Sequence, residues 1–289
     1  ELEDNPKVLH FQQKFVEKIM DISLQYGNVL YNMGNEHQVE MRKWDRYWCE
    51  YIRKYAESKG KKIETTAMFD KQNFHPVVEN NKLYSFVEGS KIGSQWTEAG
   101  EAQYSDAVAL VNHTAEQEIR PVNAVKVRTQ QIIHNAQARL WRPLMAGFAA
   151  LSHHRWGAYP EKTSNGWPKG GLGFTDMAKS NLKSMRLFTH ILTPWECTPR
   201  QDLLSEKEPD EAYILAKEGK RYGLYFPQGK GSVNLDLRNP NNAFKIQWID
   251  IGKGEITQQS KIKRGKSISI ETPHEADYGW ACCIIPLNE

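Results

Sequence analysis

Residues 28–37 are Asn28-Val-Leu-Tyr-Asn-Met-Gly-Asn-Glu-His37, and this stretch decides the fold. Its first half has the composition of a buried strand, and the polar pair Asn35-Glu36 follows. An amphipathic helix comes next, because the aromatic and aliphatic residues between positions 44 and 55 fall on one helical face. A strand, a polar loop and a helix in this order are typical of one β/α unit in a parallel sheet.

The same alternation of strand and helix patterns extends over residues 1–195. Further strands are predicted at Ile63–Phe69, Leu83–Val87, Val122–Val127 and Ala149–Ser152, and helices at Ala102–Glu116, Gln130–Gly147 and Thr175–Ile191. A closed (β/α)8 barrel takes roughly 250 residues, which is more than this region offers. The region therefore predicts either an open sheet or a barrel whose first strands lie outside this chain.

The pattern changes after Pro199, where seven short strand patterns, among them Phe244–Asp250, follow one another with turn residues between them. Short strands without intervening helices predict an antiparallel β-sandwich. The fold class is thus α/β plus all-β, with a barrel portion at 1–198 and a sandwich at 199–289. Trp248 and Trp280 stand among alternating apolar positions, and we expect both to face the sandwich interior.

Composition excludes several classes of function. The 289 residues are 39% hydrophobic and 25% charged, with a net charge of +3 and no basic block, so a nucleic-acid partner is not predicted. No apolar run approaches the ~20 residues of a membrane span. The cysteines lack the spacing of a metal site, and no nucleotide-binding or serine-hydrolase motif is present. We predict no metal and no cofactor, and free thiols with one disulfide left open.

Glu36 is the sharpest candidate for catalysis. Catalytic groups of α/β folds lie at the carboxyl ends of strands, and a glutamate there suits proton donation to a glycosidic oxygen. Asn35 beside it, and His37 after it, are candidates to bind sugar hydroxyls. The alternative is that Glu36 only caps the following helix, since carboxylates favour helix N-termini.

Several segments resemble one bacterial branch of cellulase-like proteins in clan A of the glycoside hydrolases. They are Asn35-Glu36, Arg120–Arg128, Leu140–Phe148, Ser152–Trp156, Pro199–Ser205 and Tyr222–Pro227. The resemblance implies a (β/α)8 barrel with an appended β-sandwich, a carbohydrate substrate, and a secreted or periplasmic location. It also implies that Val29–Met33 is the fourth barrel strand, with three strands upstream of Glu1 in the full protein.

The sequence departs from that clan at the end of the seventh strand. There the clan has a glutamate nucleophile, whereas this chain has Lys126, which cannot attack an anomeric carbon as a carboxylate does. Three interpretations follow: an inactive carbohydrate binder, a different second carboxylate, or one supplied by the upstream segment. Glu88 is the best substitute and Asp70 a weaker one. The alternative for Glu88 is a solvated loop charge.

The segment Ser152-His-His-Arg-Trp156 supplies further candidates for substrate binding. Trp156 can stack on a sugar ring, while His154 and Arg155 can donate to hydroxyls or carboxylates. Trp96 and Trp167 are candidates to extend the cleft. The leading hypothesis is a glycoside hydrolase with these residues and Glu36 at one mouth of the barrel; the alternative is a carbohydrate-binding or scaffold protein without the chemistry.

Overall fold

A computed structural model describes residues 5–37, 41–69, 75–90, 100–128, 138–154, 176–238, 243–262 and 265–287. The helices are α1 (Pro6–Ser23), α2 (Arg42–Ser58), α3 (His75–Glu79), α4 (Glu101–Gln117), α5 (Ala138–Met145) and α6 (Asp176–Leu192). The strands are β1 (Leu30–Asn32), β2 (Glu64–Thr66), β3 (Val87–Glu88), β4 (Val122–Arg128), β5 (Ala150–His154), β6 (Thr198–Pro199), β7 (Leu204–Ser205), β8 (Tyr213–Lys217), β9 (Arg221–Phe226), β10 (Ser232–Asp236), β11 (Phe244–Asp250), β12 (Glu255–Ile262), β13 (Ser267–Glu271) and β14 (Trp280–Pro286). Two compact units result, one of Glu1–Lys91 with Asn112–Asn123 and one of Ile92–Val111 with Ala124–Glu289.

The first unit contains β/α elements with parallel strand pairs. β1 pairs in parallel with β2, which places Asn32 opposite Thr66. β3 pairs in parallel with the start of β4, which places Glu88 opposite Asn123. The hydroxyl of Thr66 donates to the carbonyl of Phe86 at 2.8 Å and so links β2 to the segment before β3. Within the described residues these pairings do not close a barrel.

Helix α1 is attached to α2 by a ladder of polar side chains. Its N-terminus is capped by Asn5, whose side chain accepts from the backbone of Val8 at 3.2 Å. Along the helix, Gln13 donates to Tyr47 at 2.6 Å, and Tyr51 and Tyr55 donate to Glu17 and Asp21 at 2.7 Å each. The tyrosine hydrogen bonds lower the pKa of the Glu17 and Asp21 carboxyl groups, because they favour the charged forms.

The ladder leaves an apolar stripe on α1 exposed. Its side chains recur at helical spacing, and their exposed fractions are 49% for Val8, 72% for Phe11, 67% for Phe15, 45% for Ile19 and 55% for Ile22. Beneath the stripe, a groove of about 340 Å³ runs between α1, β1 and α2. Exposed apolar surfaces of this kind are typical of interaction sites. We call this surface the α1 face.

The second unit contains two antiparallel sheets that share one hydrophobic core. The larger has the strand order β12-β11-β14-β9-β8-β6 and the smaller the order β13-β10-β7. The core takes residues from both sheets, among them Leu235 and Ile270 from the smaller and Leu224 from the larger. Trp248 and Trp280 are 4% and 0% exposed and meet edge to face, with ring centroids 6.1 Å apart. Their predicted inward orientation is confirmed.

Strand β14 is covered on both faces, which explains its almost continuous apolar sequence. Cys282 belongs to the core between the two sheets. Cys283 points the other way, and its Sγ lies 3.9 Å from the carbonyl of Phe188 in α6. The two neighbouring thiols therefore lie on opposite faces of the sheet, as the alternation of side chains along a strand requires. All four cysteines, which the described ranges include, are free.

None of the helices in the described ranges is both long enough and apolar enough to span a bilayer.

Candidate active site

The turn that carries Asn35 and Glu36 connects the end of β1 to the region that follows β2. The backbone N–H of Met33 donates to the carbonyl of Thr66 at 2.9 Å, and that of His37 donates to the carbonyl of Met68 at 3.0 Å. Glu36 is half-buried and has a φ of 59°, in the left-handed region. This conformation costs an L-residue about 1–2 kcal/mol.

Glu36 is not the N-cap residue of helix α2. That helix begins at Arg42, and its N-cap residue is Met41. The cap of α2 therefore does not account for the left-handed backbone at Glu36, and such strain is found at functional positions.

His37 is fixed by a buried carboxylate on α2. Its Nδ1 lies 2.8 Å from Oδ1 of Asp45, which is 0% exposed. Burial raises the pKa of Asp45, while the hydrogen bond with His37 acts in the opposite direction. The ring of Trp44 meets the imidazole edge to face at 5.3 Å between centroids. The imidazole is therefore held by one carboxylate and one indole.

Glu88 ends β3 and is only 3% exposed, so its interpretation as a solvated loop charge is wrong. Both of its carboxylate oxygens accept from the backbone N–H of Ser90, at 3.3 and 3.2 Å, and one also accepts from the Ser90 hydroxyl. Its strand partner Asn123 is 5% exposed, and the Asn123 Oδ1 has no hydrogen-bond partner among the residues that the structure describes. A buried carboxylate thus lies on the strand beside a buried amide oxygen without a partner there.

Arg120 holds the segment that leads into β3. Arg120 is 9% exposed, and its guanidinium donates to the carbonyls of Val77 at 3.1 Å and Tyr84 at 2.7 Å, and also to Val78. Burial lowers the pKa of Arg120, while the charge of Glu118 acts in the opposite direction. These backbone contacts fix the approach to Glu88.

The other predicted site residues fall into two groups. Lys126 is a half-buried residue of β4, and His154 is the last residue of β5; both belong to the second unit. Arg155 and Trp156 lie outside the described residues, as do Asp70, Trp96 and Trp167. The predicted convergence of all candidates at one mouth stays a prediction.

Three residues of this site were not among the sequence candidates: Asp45, Ser90 and Asn123. Asp45 lies in the first turn of α2, where an acidic residue is ordinary. Ser90 follows Glu88 at a spacing typical of turns. Neither pattern alone separates a site residue from a structural one. Within the described ranges, no group of three or more His, Cys, Asp or Glu side chains is arranged to hold a metal.

No protein-family model matches the sequence, and no curated protein matches it. Solved structures do match. A glycoside hydrolase superposes with a TM-score of 0.68 at 9% identity, covering 96% of this chain and 69% of the other. A glycoside hydrolase of family 5 from Bacteroides vulgatus superposes with a TM-score of 0.69 at 10% identity, covering 96% and 66%. An alpha-amylase from H. orenii gives 0.57 at 10% identity, covering 98% and 65%.

These likenesses concern the fold. The chain has the fold of glycoside hydrolase barrels and spans about two thirds of the length of these three proteins. The resemblance to clan A glycoside hydrolases is thereby confirmed at the level of the fold. Function has to be argued from the site, because one barrel fold supports many chemistries.

Proposed function

We propose that this protein is an O-glycosyl hydrolase that acts on a polysaccharide or oligosaccharide, with Glu36 as general acid/base. The observation that carries the proposal is the left-handed backbone of Glu36 at the end of a parallel strand. Two backbone hydrogen bonds, from Met33 and His37, flank it and keep the turn in place. A glutamate in this setting can donate a proton to a glycosidic oxygen.

Glu88 is the proposed second carboxylate. Its burial and its hydrogen bonds to Ser90 give it a fixed orientation, as a nucleophile or base requires. The stereochemical outcome follows from its separation from Glu36 in the complete protein. About 5–5.5 Å corresponds to retention, and about 6.5–9.5 Å leaves room for a water and corresponds to inversion.

The remaining candidates are proposed to bind substrate. Asn35 and His37 flank the acid and would contact sugar hydroxyls near the scissile bond. His154, Arg155 and Trp156 follow a different strand and would contact a neighbouring sugar by hydrogen bonds and stacking. Lys126 is proposed to donate to a hydroxyl or to a carboxylate of the substrate.

A second candidate function is a carbohydrate-binding or scaffold protein that retains the barrel without hydrolysis. Lys126 favours it, because this half-buried residue stands on β4, where the clan resemblance implies the nucleophile, and no residue of β4 carries a carboxylate. A cation cannot form the glycosyl-enzyme bond.

A glycan panel separates the two functions. We expect the full-length natural protein to release new reducing ends from at least one polysaccharide or oligosaccharide of a panel that includes neutral and acidic glycans, and product analysis by NMR to give the anomeric configuration. Affinity electrophoresis on the same panel measures binding without turnover. Binding combined with no released product would establish the carbohydrate-binding alternative, and neither binding nor release would contradict both.

The proposed organisation follows the same resemblance. The two antiparallel sheets after residue 199 are proposed to be a β-sandwich domain, and residues 1–198 the later part of a barrel. A secreted or periplasmic location in a bacterium, as the resemblance implies, is proposed as well. We also propose that further β/α units, encoded upstream of Glu1, cover the α1 face and pair with β1.

The α1 face supports that last proposal and provides its test. In a β/α unit, the helix buries its apolar stripe against the strand that precedes it, and α1 has no such strand among the described residues. Phe15→Glu in the full-length protein is expected to lower the free energy of unfolding by about 2–3 kcal/mol, the value of one buried phenylalanine. Urea denaturation measures this change in the free energy of unfolding, with Lys18→Glu on the same helix as control. Equal stability of wild type and Phe15→Glu would contradict the proposed cover.

A further inference from the structure

Gly34, His37, Trp44 and Asp45 form a cluster behind the turn that presents Glu36. Asp45 is fully buried, and its Oδ2 has no hydrogen-bond partner, so His37 is the only side chain seen to hydrogen-bond this carboxylate among the described residues. An ionised carboxylate can only accept a hydrogen bond. With Asp45 ionised, Nδ1 of His37 is the donor in this contact, which gives the ring one orientation.

Gly34 allows the imidazole to lie against the backbone of the turn. A Cβ at position 34 would overlap the Nδ1 and Cε1 atoms of His37 and lie 2.6 Å from its Cγ. Any side chain there would push the ring away from Asp45. The imidazole of His37, the last residue of the turn, therefore packs against Gly34, the first residue. The ring of Trp44 meets this imidazole edge to face.

We propose that His37 and Asp45 are positioning residues, which close the turn of residues 34–37 and hold Glu36 in its left-handed conformation for proton transfer. This inference rests on the proposed function of Glu36. A strained conformation persists only when surrounding contacts determine it, and the contacts of this turn include the two backbone hydrogen bonds and the His37–Asp45 pair. Loss of the pair would let the backbone relax and displace the carboxyl group.

Two variants weaken the pair in different ways. Asp45→Asn keeps the shape and leaves a neutral amide oxygen as acceptor in place of the carboxylate, while Gly34→Ala displaces the ring and leaves Asp45 intact. Each is expected to lower kcat about 10- to 100-fold with KM changed less than about twofold, as expected when a reacting group is misplaced by about an ångström. Exchange of the His37 amide proton, measured by NMR, is expected to accelerate about tenfold in both, because its acceptor Met68 then faces a mobile turn.

The matched controls are Gly27→Ala, where an added Cβ meets nothing within 4 Å, and Glu50→Gln at an exposed position of α2. Both should behave as wild type. An unchanged exchange rate of the His37 amide proton in Asp45→Asn and Gly34→Ala would overturn the proposal that the His37–Asp45 pair closes the turn. Faster exchange combined with an unchanged kcat would overturn the positioning role of the His37–Asp45 pair. Wild-type activity in Glu36→Gln would instead overturn the proposed function of Glu36, since the exchange measurement does not depend on that carboxyl group.

Discussion

Replacing Glu36 with glutamine is expected to reduce hydrolysis of a natural glycan by about 10²–10⁴-fold, the contribution of a positioned general acid/base. Glutamine keeps the size of the side chain and its ability to hydrogen-bond, so the φ of 59° and the flanking backbone contacts should persist. Only the transferable proton is lost. The measurement is kcat/KM on the best substrate of the glycan panel.

A substrate with a better leaving group distinguishes loss of the general acid from misfolding. A glycoside with an acidic phenol as leaving group needs little protonation, so the deficit of Glu36→Gln should shrink by at least about tenfold on such a substrate. A defect caused by misfolding would be equal on both substrates. An equal loss on both, or wild-type activity on the natural glycan, would remove Glu36 from the role of acid. Glu50→Gln on the exposed side of α2 is the matched carboxylate control.

Hydrophobic periodicity predicted most of the elements, because a long amphipathic helix or an alternating strand carries its own pattern. The predicted helix at Thr175–Ile191 is α6 at Asp176–Leu192, and the predicted strand at Phe244–Asp250 is β11 with the same ends. In both, one face is buried against a neighbour, and the sequence alternates at the corresponding period.

The predicted strand at Leu83–Val87 is different, since β3 contains only Val87–Glu88. The carbonyl of Leu83 accepts from the Thr65 hydroxyl at 2.8 Å, and that of Tyr84 accepts from Arg120. Side chains distant in the sequence thus occupy carbonyls that a strand would offer to its neighbour. A local pattern contains no information about such partners.

In the candidate site, too, the residues that stand out in a local pattern were predictable, and the partners that meet only in the fold were not. Asn35-Glu36 stood out because a polar pair follows an apolar strand, and Glu88 because it ends one. Asp45 could not be distinguished from an ordinary first-turn acid, since its role depends on the imidazole of His37 reaching it across the turn. The pairing of Arg142 with Asp210, at 2.9 and 2.7 Å, likewise joins positions that no spacing connects.

Gly229→Ala is expected to have the largest effect on stability. Gly229 is buried, has a φ of +72°, and follows β9 in the turn before β10. An added Cβ would overlap the backbone oxygen of Ala276 and lie 2.8 Å from its carbonyl carbon. Backbone atoms cannot rotate away as a side chain can, and the Ala276 N–H also donates to the Gly229 carbonyl at 3.1 Å. We expect a loss of at least about 4 kcal/mol in the free energy of unfolding.

Gly60 separates the two components of that loss. Its φ of +68° is nearly the same, but it is exposed and an added Cβ would meet nothing within 4 Å. Gly60→Ala should therefore lose only the intrinsic cost of the left-handed conformation, about 1–2 kcal/mol. Urea denaturation of both variants gives the difference, which measures the close approach of the two turns. Equal losses in the two variants would show that backbone conformation alone determines the requirement for glycine at position 229, and that the contact with Ala276 yields at little cost.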